Sequence, residues 1–361
     1  MRLPKLSALI LVAAVISLAN AVAQDSIPVR KGYDFLTMPY NKRPLTLYKG
    51  ELQIDAGYKF AVHTQSFDSN GRIVNLKDNG TGSVYHYYYA ELRYGLANFI
   101  EMGAETYYLK EGIRSPTSTV VSITSVSTET VTVNKVTESK GMGDLFLYTS
   151  FRLPLEYRWF DLDMTGGIFL PTAKYEAQQP TNSLVASATS VNAYTINLKY
   201  NNTNGYGVPV YYIGASCKFS LGKFSSEADW SMQTPMKEGT NLRWNATLAD
   251  NVFSYGNESY SYLLSNSYTL DISLHYQAKG WFNISMNGIF YNTKGGWTEY
   301  WGNKYKNNEE SLFTLEPKLE IQISPALTIY EVAGWSPDGK NIDAPFYLFM
   351  ILSYKLFPFL K

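Results

Sequence analysis

The chain has one cysteine, Cys217, and three histidines in 361 residues. A single cysteine excludes an internal disulfide framework, and scattered histidines give no metal-ligand spacing. Dinucleotide-binding GxGxxG and P-loop patterns are absent, so neither a metal nor a nucleotide cofactor is expected. Past residue 23, no run approaches the roughly 18 uncharged apolar residues of a membrane-spanning helix. An excess of basic charge is missing too. Without Arg2 and Lys5 the chain carries 29 Lys and Arg against 31 Asp and Glu, a net of −2. That balance excludes a nucleic-acid partner.

Two features stand out against these absences. Arg2 and Lys5 precede an apolar run from Leu6 to Leu18, and small residues lead to Ala23. This is the pattern of a secretory signal peptide over residues 1–23, cut after Ala23 or alternatively Ala21. The chain also holds 30 Tyr, 18 Phe and 7 Trp. Rings in such number suit a membrane–water interface, where one edge is apolar and the other wet, and they also suit a carbohydrate-binding sandwich.

Periodicity separates the two. In "GELQIDAGYKFAV" (50–62), Leu52, Ile54, Ala56, Tyr58, Phe60 and Val62 alternate with Gln53, Asp55 and Lys59, the period of a strand with one apolar and one polar face. Eleven further segments repeat it: 84–96, 99–111, 143–153, 159–170, 208–221, 223–236, 264–277, 281–293, 311–323, 327–336 and 345–357. Their connections sort by parity. Even-to-odd links are short, such as "GK" and "SPA". Odd-to-even links are longer: 65–83, 112–142, 171–207, 237–263, 294–310 and 337–344. Short turns at one end and long loops at the other are the rule of outer-membrane β-barrels.

The predicted fold is therefore an all-β, twelve-stranded antiparallel transmembrane barrel over residues 50–361. The apolar teeth face lipid and the polar teeth face a lumen. Lumen-facing charges are expected at Asp55, Lys59, Glu91, Arg93, Glu101, Glu105, Asp144 and Arg152, as a polar network that braces the lumen or binds a permeant. In a sandwich core each unpaired charge would cost several kcal/mol. Tyr94, Phe99, Trp159, Phe160, Phe224, Trp281 and Phe282 flank the short turns and predict a periplasmic aromatic girdle.

The β-branched run 115–139 predicts that the third and fourth strands continue above the membrane as a ribbon, or else form an external loop. Residues 24–49 contain Pro28, Pro39 and Pro44, and are read as a segment lying in the periplasm or plugging the lumen from below.

Three stretches carry a resemblance: "AELRYGLANFIEMGAETYYL" (90–109), "GMGDLFLYTSFRLP" (141–154) and "GGIFLPTAKYE" (166–176). Together they resemble the outer-membrane barrels of the phenol-degradation meta-pathway family, in the order R-Y-G-L, E-x-G, G-x-G-D and L-P-T. Ala173 stands where those sequences carry Gly, and Lys361 where many barrels end on an aromatic. The resemblance implies an architecture related to the fatty-acid and toluene transporters, and a small hydrophobic or aromatic permeant.

An enzyme would need a nucleophile beside a base. No serine near His63, His86 or His275 sits in a recognisable nucleophile motif, so the chain reads as non-enzymatic. The expectation is an outer-membrane channel for passive uptake, in contact with lipid and with a small-molecule permeant. The alternative is a non-transporting barrel whose long loops bind a surface partner.

Overall fold

The computed structural model describes residues 44–76, 82–113, 117–123, 129–155, 159–173, 185–190, 193–202, 205–249, 252–300, 303–324 and 326–356. The signal peptide read at 1–23 and the segment 24–43 lie outside them. Twelve antiparallel strands form the barrel. They are β1 (Leu52–Phe67), β2 (Ser83–Ala97), β3 (Ile100–Ile113), β4 (Leu145–Arg152), β5 (Phe160–Leu170) and β6 (Val210–Leu221), then β7 (Phe224–Pro235), β8 (Asn266–Lys279), β9 (Phe282–Lys294), β10 (Ser311–Gln322), β11 (Leu327–Lys340) and β12 (Ile342–Leu356). Each pairs with the next, and β12 returns to β1 along a register running from Leu52↔Leu356 to Phe67↔Ile342. Closure leaves no free edge, so the backbone groups of every barrel strand are paired on both sides.

The alternation decides which face is inside. On β2, Tyr88, Ala90, Leu92, Tyr94 and Leu96 are exposed, while Tyr89, Glu91, Arg93 and Gly95 between them are half-buried or buried. On β12, Phe346, Leu348, Met350, Leu352 and Tyr354 point out, and Tyr347 and Ser353 are buried. Polar residues instead dominate the buried set, with Gln53, Asp55, Glu101, Asp163, Lys218 and Glu320 among them. An apolar outside around a polar inside inverts a soluble core and is stable only in lipid. The protein is a transmembrane β-barrel.

The aromatic girdle forms as expected at Tyr94, Trp159, Phe224 and Trp281, all exposed. Phe99 departs from it. Its ring is buried edge-on against Phe151 at 5.7 Å.

Strands also rise beyond the barrel. Glu129–Met142 continues the sheet beside β3, with Tyr108↔Met142 and Gly112↔Glu138, and pairs above with Thr117–Ile123. The predicted ribbon is therefore present. Ala193–Asn202 then adds to it in parallel, and Val185–Ser190 in antiparallel. A second extension of four strands covers Gly239–Ala249, Val252–Leu263, Trp297–Tyr300 and Asn303–Lys306.

One expected long loop is absent. Residues 337–344 read as the longer link between the last two strands. Instead β11 runs to Lys340 and β12 starts at Ile342, joined by Asn341 at φ 54°. Pro337 is tolerated because the β10–β11 register shifts there, between Phe313↔Asp338 and Leu315↔Trp335, and a bulge needs no donor from it.

Candidate functional site: a lumen in two halves

The periplasmic half of the lumen is charged and packed. Arg93 is its hub, with Nη2 3.3 Å from Asp55, Nε 3.8 Å from Glu91 and Nη1 3.8 Å from Glu101. Gln53 donates to both oxygens of Asp55 at 3.0 and 2.8 Å. Glu91 also accepts the hydroxyls of Tyr89 at 2.7 Å and Tyr148 at 2.5 Å. Four of the eight predicted residues thus meet around one guanidinium.

The other four do not join them. Arg152 forms its own cluster, 3.8 Å from Asp161, with Nη2 donating to the Asn98 carbonyl at 2.6 Å. Lys59 stands higher, its ammonium 3.6 Å from the centre of the Tyr347 ring. Glu105 lies directly across from Glu91 in the β2–β3 register and makes no ion pair among the described residues. Asp144 is not in the lumen proper. It sits at the external rim and accepts the backbone N–H of Tyr206 at 2.6 Å and of Ala173 at 3.1 Å. Burial pushes its carboxyl above the ordinary value, against the opposing pull of those N–H groups.

The lower half has a further occupant. Residues 44–51, just before β1, fold into the barrel mouth. Leu47 N–H donates to Glu101 at 2.7 Å and Leu45 N–H to Asp161 at 2.9 Å, while Gly50 and Glu51 exchange backbone bonds with Gly95. Thr46, Leu47 and Glu51 are buried. A Cβ on Gly95 would lie 1.9 Å from the Tyr48 carbonyl oxygen, so only glycine admits the segment. Residues 44–51 are therefore held at the mouth by carboxylates.

On the far wall Lys218 pairs with Glu227 at 2.8 Å, and His275 Nε2 lies 2.8 Å from Ser273 and 3.8 Å from Glu227. Serine and acid share one ring nitrogen there, whereas a nucleophile–base relay needs the acid on the other. His86 is outside the barrel, its Nδ1 2.8 Å from the Tyr58 hydroxyl. His63 faces Asp343 at 3.5 Å near the external end.

The external half of the lumen is aromatic, and the sequence reading missed it. Tyr87 stacks on Tyr107 at 4.7 Å, and Phe146 stacks on Phe169 at 4.3 Å and meets Tyr212 at 5.0 Å. Phe169 in turn meets Tyr206 at 5.4 Å. Inward glycines let these rings lie against the wall. A Cβ on Gly103 would strike Tyr148 at 2.1 Å, and one on Gly167 would strike Phe146 at 2.6 Å. Above β6–β9 a cavity of about 660 Å³ opens outward, lined by Tyr206, Gln233, Ser267, Tyr291, Thr293, Asn307 and Glu310 among others. That volume suits a small organic molecule.

The motifs behind the family resemblance fall on these tie points. Gly95 and Glu101 hold residues 44–51. Asp144 holds the chain at Ala173 and Tyr206, and the Thr172 hydroxyl accepts the Leu145 N–H at 2.9 Å.

Comparison with solved structures agrees with the fold. An outer-membrane channel from Pseudomonas putida F1 is similar over 88% of this chain and 99% of its own, with 11% identity and a TM-score of 0.59. The monoaromatic hydrocarbon channels TodX (a deletion mutant) and CymD also match. TodX has 6% identity and a TM-score of 0.48 over 90% of this chain and 94% of its own; CymD has 7% and 0.42 over 86% and 88%. No family profile matches the sequence, and no curated sequence does. The chain has the fold of an outer-membrane channel.

Proposed function

We propose that this barrel is a non-enzymatic outer-membrane channel for passive uptake of small molecules with an aromatic or hydrophobic part, exported with residues 1–23 removed. The observation that carries this reading is the cluster of lumen rings Phe146, Phe169 and Tyr212, joined through Tyr206 to a cavity of about 660 Å³ at the external mouth. Stacking surfaces with hydroxyl edges hold a flat, weakly polar solute without stripping all its hydrogen bonds. The similarity of fold to a protein described as an outer-membrane channel supports it. Lumen acids such as Asp163, Asp229, Asp271 and Glu316 outnumber the nearby lysines, which favours neutral or cationic permeants over anions. In this reading the polar network around Arg93 braces the lower lumen and anchors residues 44–51.

The packed lower half favours a second reading, a closed barrel whose extensions above the membrane bind a surface partner. Planar-bilayer conductance and liposome uptake of a small phenol separate the two, with the mature chain and a variant lacking 24–49. Uptake exceeding that of a sugar of equal size, and conductance steps that appear or grow on truncation, are expected. Silence from both proteins in both assays would refute the channel.

A further inference from the structure

We infer that the outer wall of β2 and β3, with the strand above them, carries a binding site for the phosphate of an outer-leaflet glycolipid. Strand register places His86, Lys110 and Lys140 side by side in one row across three strands, with His86↔Lys110 and Lys110↔Lys140 as direct partners. Both lysines are exposed, and among the described residues neither makes an ion pair with a carboxylate. Along the third strand Glu138 lies two residues from Lys140, opposite Gly112 in register. Like charges directly opposite each other destabilise a sheet unless an anion lies between them.

The height of the row identifies its surroundings. Lys110 is ten residues from Ile100 at the periplasmic turn. At a rise of about 3.3 Å per residue and a tilt of about 40° that is about 25 Å, the height of a barrel's apolar band. The row below confirms the level. Tyr58, Tyr88 and Tyr108 are adjacent in register, with centroids 5.3 and 6.2 Å apart, an aromatic interface belt. Beneath it the wall steps in at Ala56, Ala90 and Thr106, also adjacent in register, before the larger Ile54 and Leu92. Cations above, phenol hydroxyls between and a shallow apolar step below match a phosphorylated sugar above acyl chains. A soluble anion would use the lysines alone.

The test uses the full mature protein in detergent and native mass spectrometry with bis-phosphorylated lipid A and the same lipid stripped of its phosphates. The phosphorylated form is expected to bind at least about tenfold tighter, from about 1 kcal/mol per lysine. Lys110→Ala with Lys140→Ala should reduce it to the level of the stripped lipid. Lys110→Arg with Lys140→Arg should retain binding, and Lys294→Ala with Lys340→Ala should leave it unchanged. Equal binding of the two lipids overturns the proposal. So does a double alanine variant that migrates as a folded, heat-modifiable barrel yet binds as wild type. A dimer that the alanine variant loses while lipid binding persists would overturn it in favour of a second copy of the chain.

Discussion

The two halves of the lumen share one construction and differ in what fills them. Both are made of the inward-pointing residues of the same strands. In the lower half these residues are Asp55, Glu91, Arg93 and Glu101, held by an ion-pair hub and covered by residues 44–51. In the upper half they are Tyr87, Tyr107, Phe146, Phe169 and Tyr212, packed ring against ring below the cavity that Tyr206 lines. Charged groups in a narrow lumen must find partners, so they converge. Rings need only a surface, and the inward glycines supply it. Ion pairing and ring stacking thus fall at opposite ends of one barrel.

The comparison is broken most directly at Gly95. Replacement by leucine drives a side chain into Tyr48, which lies in the path of any Cβ there. Residues 44–51 should be expelled while the barrel, whose strands are fixed elsewhere, remains folded. In planar bilayers the expected outcome is a change from rare or small steps to sustained conductance, similar to removal of 24–49. A silent G95L barrel would mean that side chains alone close the lower half.

Removing the hub has the next largest effect. Arg93→Ala leaves Asp55, Glu91 and Glu101 facing one another without their shared cation. Breaking such a buried network costs about 3 kcal/mol, read as a lower urea midpoint in detergent or lipid. Arg93→Lys should recover part of it, because one ammonium reaches fewer of the three acids. Above the hub, Phe146→Ala removes the ring shared by Phe169 and Tyr212. Phe146 is buried among these rings, so the stability loss is no larger than that of the hub, about 3 kcal/mol. Uptake of a small phenol should fall severalfold while ion conductance stays equal or rises. A parallel fall in both would show that the aromatic wall shapes the pore without selecting its solute.

Much of this was legible from alternation and loop length, because a barrel imposes a period of two and a parity of connections on every strand. The twelve strands, the outward apolar face and the convergence of Asp55, Glu91, Arg93 and Glu101 follow from that alone. The aromatic upper lumen was not, since Tyr is equally at home in an interface belt. Tyr88 faces lipid while Tyr87 and Tyr89 face inward, and only parity counted through "YHYYYAELRY" tells them apart. The inward glycines at 103 and 167 were the available signal, because each stands beside a ring on the next strand. The tight turn at Asn341 was not legible, because the alternation was followed only to residue 336 while the strand runs on through a bulge to Lys340. Asp144 read as a lumen charge because alternation carries no information on where a strand stops.

Asp144 and Glu101 show a device common to both ends, a carboxylate that fixes irregular chain by accepting backbone N–H groups, and Asp68 offers its simplest test. Asp68 begins the turn after β1, exposed to solvent, and one oxygen accepts the N–H of both Asn70 and Arg72 at 2.8 Å. Those two bonds, the one from Arg72 foremost, hold its carboxyl below the ordinary value of 3.8. A carboxylate depressed in the folded state stabilises the turn fully above its ordinary value, and the contribution is lost as pH falls through the lower folded value. Hydrogen exchange at Asn70 and Arg72 should therefore stay slow at neutral pH and down through pH 4, then quicken below it relative to the intrinsic rate. Asp68→Asn should exchange faster at neutral pH and lose the dependence, because an amide oxygen is a weaker acceptor than a carboxylate. The effect stays within the turn, since Gly71 at φ 76° already sets its path and the barrel strands on either side are paired independently. If acid instead loosened residues 44–51 first, the carboxylates of the lower half would be the weaker ties, and closure rather than the rim would respond to pH.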